Sequence, residues 1–531
     1  MRLAQWSFWT GVVVIAVGGV IGIWANRDWI ATTDLAWEQL VLQGIPQEWP
    51  TAGSYSRWGW GHPGPVFHYL LWLPWRLMGG AAAGLLVGML FLHLGAVVLA
   101  WLTARSRSLA LAVLATMGLL IVWALVGQGQ ALLPWNPLVG TLLGGTLVVA
   151  AVDAAARGRW GTFLLLPIAS VLVQAHVGAA ILAVACVAFA LTLALVRVGQ
   201  SQALPLRSLG WSALVTVVLW FLPLAEAFPD GGNLRAILTT DTGPGLGWGA
   251  AARVISGAWS VPAYWWSGDA VLPESMAIPV LALVPLVAFV VAVVRADPVA
   301  VRAMIVGGAA ALTAVPSVAL ADQPRSYLVA WLPAVVAIVL ATSVWVLVKG
   351  SHERWVLLLA PALLVPACLV SWRLLTEPPL AFDDATVRAA VAVAERDAAG
   401  GVHVSITPDS RAFEVMPGIA TELRRRGIGV SGEFPTALPA SLAGLIDQQP
   451  AGRRGLVVEF FPAPGEPVPA GWRVAAQEDP FTPDQWRELL RYRRMADDPA
   501  LPERDRALAT LGYEQVRAGR TAWRILLQDR A

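Results

Sequence analysis

Long apolar segments repeat along the first 375 residues of this chain, and they constrain its fold more than any other feature of the sequence. A helix that crosses a lipid bilayer needs roughly 20 mostly apolar residues. Such segments lie at 6–25, 82–103, 109–127, 137–153, 161–173, 177–196, 209–226, 276–294, 303–320, 328–348 and 356–375. We therefore predict an α-helical polytopic membrane protein with about 11 transmembrane helices.

The segment at 161–173 is shorter than the others, and only Gln174-Ala175-His176 separates it from the next one. The two segments form either a tight hairpin or one broken helix, and the second reading lowers the count to ten. The first segment ends near Arg27 without a small-residue cleavage site, so we expect a retained signal-anchor helix.

The composition agrees with a membrane protein, since 57% of the residues are hydrophobic and only 14% are charged. Soluble domains have about 25% charged residues. The net charge is +2, and no basic block with interleaved aromatic residues precedes residue 376, so binding of nucleic acid has no support. Cys186 and Cys368 both lie in apolar segments, which provide neither a disulfide framework nor a metal site.

Basic residues fall mainly in alternate loops, which predicts the orientation of the chain. If the N-terminus is cytoplasmic, each short inner connection carries two of them: Arg105 and Arg107, Arg157 and Arg159, Arg197 and Arg207, Arg295 and Arg302, Lys349 and Arg354. We therefore expect a transmembrane domain over 1–375, with outer loops at 26–81 and 227–275. Residues 376–531 are expected outside as a soluble α/β domain.

That tail has a charged composition and signals of both helix and strand. We expect helices near 385–399 and before Gly427, and strands at 402–407 and 455–461. The tail has no glycine fingerprint, phosphate-binding loop or Ser/His/Asp spacing. A structural or acceptor-docking role is favoured over an independent catalytic one.

The first outer loop carries two acids four residues apart, Asp34 and Glu38, on a helix that Thr33 is expected to cap. Like charges on one helical face repel, and they persist where a metal ion, a proton transfer or sugar hydroxyls use them. The alternative is a solvated first helical turn, where acidic residues are common.

The same loop continues as Tyr55-Ser56-Arg57-Trp58-Gly59-Trp60-Gly61-His62-Pro63-Gly64-Pro65, with His68 close behind. Its glycines allow close approach of the backbone to a ligand, and its tryptophans offer flat faces on which sugar rings stack. An interfacial aromatic belt with a re-entrant helix is the alternative interpretation.

Further polar residues occur in the other loops predicted on this side. Gln174 and His176 interrupt an apolar run at the membrane surface, and Arg325 has a guanidinium shaped for a phosphate. A hydrogen-bonded core histidine and a simple pair between Arg325 and Asp322 are the respective alternatives. Glu226 and Asn233 open the large outer loop.

These segments resemble a group of largely uncharacterised polytopic proteins of high-GC bacteria, which are similar to GT-C integral membrane glycosyltransferases. The similarity includes the Tyr-Ser-Arg-(Phe/Trp)-Gly-Trp-x-His-Pro-Gly-Pro motif of the first loop. It also includes Gln174-Ala175-His176-Val177-Gly178 and the segment from Glu226 to Leu234. The resemblance covers the membrane part in order and excludes the tail.

The resemblance implies transfer of a sugar from a polyprenyl-phosphate donor to a glycan, lipid or protein acceptor of the cell envelope, at the outer side of a bacterial plasma membrane. Asp34 matches the general base, with Asp28 as its rival, and Glu38 matches a second acid. Arg325 is expected to bind the donor phosphate, with His176 and Arg57 as alternatives. The residues expected to bind the sugar or the acceptor are Tyr55, Trp58, Trp60, His62, His68, Gln174, Glu226 and Asn233.

No cofactor is implied with certainty. A divalent cation stays open, because the later loop offers only the scattered acids Asp241, Asp269 and Glu274. Two other functions compete with an enzyme, namely a transporter or flippase of a lipid-linked substrate and a non-catalytic glycan-binding membrane protein. A transporter would keep ionisable residues near the bilayer midplane, where this chain has only His93.

Overall fold

The structure is a computed structural model, and it describes the chain in two compact units. The described residues are 2–196, 203–228, 230–241, 243–266, 272–350, 352–381, 383–398, 401–406, 412–433, 446, 454–517 and 520–529. The transmembrane unit comprises Met1–Trp29 and Ile45–Leu380, and the C-terminal unit comprises Ile30–Gly44 and Ala381–Ala531.

Helices make up most of the transmembrane unit. They are α1 (Arg2–Ala25), then, after α2 (Thr33–Gly44) of the other unit, α3 (Val66–Leu77), α4 (Ala83–Arg105), α5 (Leu109–Leu125), α6 (Gly140–Ala155), α7 (Arg159–Ala175), α8 (Ala180–Leu195), α9 (Leu206–Ala227), α10 (Gly232–Thr239), α11 (Gly247–Ala258), α12 (Leu283–Val294), α13 (Pro298–Leu312), α14 (Ala314–Ala319), α15 (Leu332–Val348), α16 (Glu353–Leu358) and α17 (Leu364–Thr376). Short 3-10 turns precede several of them, among them Val177–Ala179 and Ser326–Val329.

Within the described residues, seven helical segments are long and apolar enough to cross a membrane. Four further apolar helices are shorter: Leu109–Leu125, Arg159–Ala175, Val280–Val294 and Ala360–Thr376. Each of the eleven predicted spans overlaps one of these segments. The fold class of a multi-pass helical membrane protein is confirmed, whereas the number of complete spans stays a prediction.

The chain reverses direction at His176, whose backbone is extended between α7 and the turn that leads into α8. Arg157, just before α7, donates from Nε to the carbonyl oxygen of Ala194 near the end of α8, at 2.8 Å. The start of α7 and the end of α8 are therefore neighbours. The fifth and sixth apolar segments are two antiparallel helices, and the alternative of one broken helix is wrong.

Small residues allow α1 and α17 to pack closely, as is common where helices associate in a bilayer. A Cβ placed on Gly18 would lie 2.0 Å from the hydroxyl oxygen of Ser371. At Gly22 it would lie 1.9 Å from the carbonyl oxygen of Leu374. A larger side chain at either position would force the first and last apolar helices of the unit apart.

The basic residues predicted on the cytoplasmic side gather at one end of the helices. Arg107, after α4, pairs with Asp153 of α6, and Lys349, after α15, pairs with Asp297, which precedes α13. Two further arginines donate to carbonyl oxygens at helix ends, Arg295 to that of Val346 at 3.0 Å and Arg302 to that of Val196 at 2.9 Å. Arg197, predicted here as well, lies outside the described residues.

A mixed sheet forms the centre of the C-terminal unit. Its strands are β1 (Val402–Ile406), β2 (Val430–Glu433), β3 (Arg454–Phe460), β4 (Trp472–Glu478) and β5 (Trp523–Gln528), in the order β2-β1-β3-β5-β4. The pairs β1–β2 and β1–β3 are parallel, and β3–β5 and β4–β5 are antiparallel. The helices are α18 (Asp384–Asp397), α19 (Ala412–Arg425), α20 (Pro483–Asp497) and α21 (Glu503–Arg517). The predicted C-terminal α/β domain is thereby confirmed.

Helix α2 belongs to this C-terminal unit, although it comes from the first outer loop. The sequence placed residues 26–81 together with the transmembrane domain. The structure instead assigns Ile30–Gly44 to the C-terminal unit, because α2 packs against α19. Most residues of α2 are buried, from Leu35 to Leu40 and again at Leu42.

The predicted orientation can be tested by thiol labelling in intact cells. Ser106→Cys lies at the end that carries the basic residues, and Asp230→Cys lies in the large loop after α9, and both positions are exposed. We expect a membrane-impermeant maleimide to label only Asp230→Cys until the cells are permeabilised. Labelling of Ser106→Cys alone in intact cells would reverse the orientation, and a chain without Cys186 and Cys368 provides the background.

Candidate functional site

The motif of the first outer loop folds into a short hairpin between residues 53 and 62. The amide of Gly53 donates to the carbonyl oxygen of His62 at 2.8 Å, and the amide of Ser56 donates to that of Trp60 at 2.9 Å. Gly59 forms the turn with a φ of +86°, a conformation that favours glycine. The motif therefore encodes a defined loop and not only a string of aromatic residues.

Asn233 fastens this hairpin to the start of α10. Its side-chain oxygen accepts from the amide of Gly61 at 2.8 Å, and its side-chain nitrogen donates to the carbonyl oxygen of Gly61 at 2.8 Å. Glu226 in turn accepts from the amide of Asn233 at 3.0 Å. Both residues were predicted to bind sugar or acceptor, and in the structure their polar atoms hold the protein's own backbone.

Gln174 and His62 connect the hairpin to the junction of α7 and α8. Gln174 donates from Nε2 to the carbonyl oxygen of Leu219 at 2.9 Å, and a Cβ on Gly64 would lie 2.3 Å from its Oε1. The amide of Val177 donates to Nδ1 of His62 at 3.2 Å. That bond makes Nδ1 an acceptor, so the proton of the neutral ring lies on Nε2.

His62 is a neutral residue of this junction. Its burial, followed by the neighbouring rings of His176 and His68, holds the pKa of His62 well below its usual range. A neutral imidazole supplies no positive charge to a phosphate. His62 is therefore suited to a hydrogen bond or to packing, and its ring lies 4.8 Å from that of His176, centroid to centroid.

Arg57 joins the hairpin to the short loop between α14 and α15. Its guanidinium forms an ion pair with Asp322 and donates to the hydroxyl oxygen of Tyr327 at 2.8 Å. The same group lies 5.4 Å from the ring centroid of Trp58. The ring of Tyr327 lies 6.3 Å from that of His176. Arg57, Trp58, His176 and Tyr327 thus form one surface cluster, which we call the arginine–aromatic cluster.

Arg325 is the one predicted phosphate ligand that keeps its side chain outside this cluster. The alternative interpretation paired it with Asp322, but Asp322 pairs with Arg57 instead. The side chain of Arg325 is exposed, and it forms no hydrogen bond or ion pair with the part of the chain that the structure describes. Its guanidinium is therefore available to an anion.

The remaining predicted ligands of sugar or acceptor differ in exposure. His68 on α3 is fully buried, and Trp60 is buried with its ring 5.7 Å from that of His62. Tyr55 is half-buried beside its bridge partner Gly61. Trp58 is half-buried, and it is the more exposed of the two tryptophans in the hairpin.

The sequence reading missed Tyr327 and Trp135, whose ring centroids are 4.8 Å apart. Tyr327 lies two residues after Arg325 in the same short loop, and this proximity to a predicted phosphate ligand could have identified it. Trp135 lies in an apolar stretch before α6, where no local pattern distinguishes it from a residue at the membrane interface.

The two predicted acids lie on α2 in the C-terminal unit. Asp34 is exposed, whereas Glu38 is 4% exposed. The expected cap at Thr33 stays a prediction. The carbonyl oxygen of Thr32 accepts from the amides of Leu35 and Ala36, at 3.2 and 3.3 Å. Thr33 is the first residue of α2 and has a φ of +53°, in the left-handed region.

A metal site is not formed by the residues that the structure describes. Among them, no group of three or more His, Cys, Asp or Glu side chains is arranged to hold an ion. Asp269, one of the scattered acids of the later loop, lies outside the described ranges.

No family model and no curated protein matches the chain. Among solved structures, the chain is similar to ArnT from Cupriavidus metallidurans bound to undecaprenyl phosphate, with a TM-score of 0.52 and 13% identity over 88% of this chain and 96% of that chain. For the apo state of ArnT the TM-score is 0.49, with 12% identity over 85% and 92% of the two chains.

A weaker likeness is to the Archaeoglobus fulgidus oligosaccharyltransferase in complex with Zn and sulfate, with a TM-score of 0.39 and 10% identity over 97% of this chain and 88% of that chain. At such identities a likeness concerns the fold alone. The likeness to ArnT bound to undecaprenyl phosphate confirms the predicted GT-C-like fold of this multi-pass membrane protein.

The role of Asn233 in the hairpin can be tested by Asn233→Leu. This change leaves the amide and the carbonyl oxygen of Gly61 without their side-chain partners, and each unmet buried group costs about 1–3 kcal/mol. We expect a lower midpoint of thermal unfolding in detergent, followed by tryptophan fluorescence. Thr239→Ala, which removes one exposed 2.9 Å bond from α10, should leave the midpoint unchanged. Equal midpoints for both variants would contradict the role.

Proposed function

We propose that this chain is a membrane glycosyltransferase, which moves a sugar from a polyprenyl-phosphate donor to an acceptor of the cell envelope at the outer side of a bacterial plasma membrane. The observation that carries the proposal is the arginine–aromatic cluster on a GT-C-like fold. The fold is similar to that of ArnT, whose structure holds undecaprenyl phosphate. A cationic group beside aromatic rings is suited to a sugar linked to phosphate.

The reaction needs a base near the acceptor and positive charge near the leaving phosphate. The acceptor hydroxyl oxygen attacks the anomeric carbon and its proton passes to the base. The bond from the anomeric carbon to the phosphate oxygen breaks, and its electron pair leaves with the polyprenyl phosphate. A single displacement of this kind inverts the anomeric centre.

Asp34 is the proposed base. It is the exposed acid of α2, and it follows the first apolar helix, as expected for this role. Glu38 is buried and is proposed as a supporting acid.

Arg325 is the proposed ligand of the donor phosphate, ahead of Arg57 and His176. Arg57 already holds Asp322 and Tyr327, and His176 packs between the rings of His62 and Tyr327. An anion would have to displace Asp322 before it could bind both terminal nitrogens of the Arg57 guanidinium. Arg325 requires no such exchange. Trp58 is the proposed stacking face for the sugar.

The assignment of the base can be tested by Asp34→Asn. We expect normal expression and membrane insertion, and a fall in transfer from a radiolabelled polyprenyl-phosphate sugar of at least about 100-fold, since general-base catalysis contributes that much or more. Asp28→Asn is the matched control and should retain activity. Full activity of Asp34→Asn, or loss in Asp28→Asn alone, would contradict the assignment.

The phosphate assignment can be tested by Arg325→Ala. Loss of a charge-assisted bond weakens binding about tenfold or more, so we expect that rise in the Kd for polyprenyl phosphate in detergent micelles. Arg325→Lys should restore part of the affinity. Arg235→Ala removes an exposed arginine of the large outer loop and should leave the Kd unchanged. An unchanged Kd in Arg325→Ala would assign the phosphate to another residue.

A further inference from the structure

Both ends of α2 are held by α19 of the C-terminal unit. Before α2 begins, the carbonyl oxygen of Ala31 approaches α19 so closely that a Cβ on Gly418 would lie only 3.1 Å from it. Near the end of α2, Gln43 donates from Nε2 to the carbonyl oxygen of Thr421 at 3.0 Å. Two contacts about one helical turn apart on α19 thus fix the two ends of α2.

A side chain at position 418 would crowd this approach. The same Cβ would also lie 3.2 Å from Cγ2 of Val387 on α18. Added atoms would therefore meet α18 on one side and the backbone before α2 on the other. Gly418 is buried, so the contact must be relieved by movement of its neighbours.

The backbone beside Asp34 is strained. Thr33 has a φ of +53°, and a β-branched residue rarely adopts this left-handed conformation. Such a conformation costs free energy and persists only where the surrounding structure enforces it, often at functional sites. Thr32 and Leu35, which flank Thr33 and Asp34, are both buried.

We propose that the C-terminal unit holds the acid-bearing helix in its catalytic position, with Gly418 and Gln43 as positioning residues for Asp34. This inference rests on the proposed function of Asp34 as the base. A displacement of a reacting group by about 1 Å is enough to slow an enzyme about 100-fold. The C-terminal unit is then a part of the catalytic apparatus and not only a docking domain.

The test compares Gly418→Ala with a matched variant of the same unit in the full-length protein. Gly512→Ala is the control, since it also adds a methyl group to a buried helical glycine, where a Cβ would lie 2.6 Å from the ring of Tyr492. Both variants strain the unit, but only Gly418→Ala does so next to α2. Gln43→Met, which keeps the size of the side chain and removes its amide, is the second test variant.

Hydrogen exchange of the α2 amides and steady-state transfer kinetics are the two readouts. In Gly418→Ala and Gln43→Met we expect exchange in α2 to rise about tenfold, and exchange in α3 to stay unchanged. The kcat of transfer should fall while the KM for the donor stays constant. Gly512→Ala should change neither the exchange of the α2 amides nor the kcat of transfer.

Two results would overturn the inference. One is unchanged α2 exchange in both test variants, and the other is faster exchange with an unchanged kcat. A wild-type protein that transfers no sugar would contradict the proposed function instead. In that case the exchange comparison alone decides whether α19 holds α2.

Discussion

A lipid bilayer offers no hydrogen-bond partner to a peptide group, and the remaining features of the transmembrane unit depend on this constraint. Apolar segments can cross only as helices that satisfy their own backbone. Charged groups are consequently confined to the helix ends. At one end they form pairs such as Arg107 with Asp153, and at the other end they form the arginine–aromatic cluster. The separation of charge along the helices thus sets where chemistry can occur.

The loops at that second end face the same requirement, because they are buried against one another. Side chains complete the hydrogen bonds that the loop backbones lack, as Asn233 does for Gly61 and Gln174 does for Leu219. Residues that look like sugar ligands in the sequence therefore serve first as structural partners. Arg325 and Arg57 are left as exposed groups, with the half-buried Trp58 beside Arg57.

The spans and the α/β character of the tail could be predicted from the sequence, because both depend on local patterns of apolar residues. The ion pair of Arg57 with Asp322 could not, since 265 residues separate its members. The sequence also did not reveal that α2 belongs to the C-terminal unit. It depends on contacts such as that of Gln43 with Thr421, which no periodicity reveals. Local patterns located the outer loops, and only tertiary packing determined the partners within them.

The proposed function depends on the end of the transmembrane unit at which a lipid phosphate binds. An experimental structure with bound polyprenyl phosphate would test this most directly. We expect phosphate density within hydrogen-bond distance of Arg325 or Arg57, beside the ring of Trp58. Density at the opposite end, among Arg107, Arg302 and Lys349, would contradict both the proposed site and the proposed orientation of the chain.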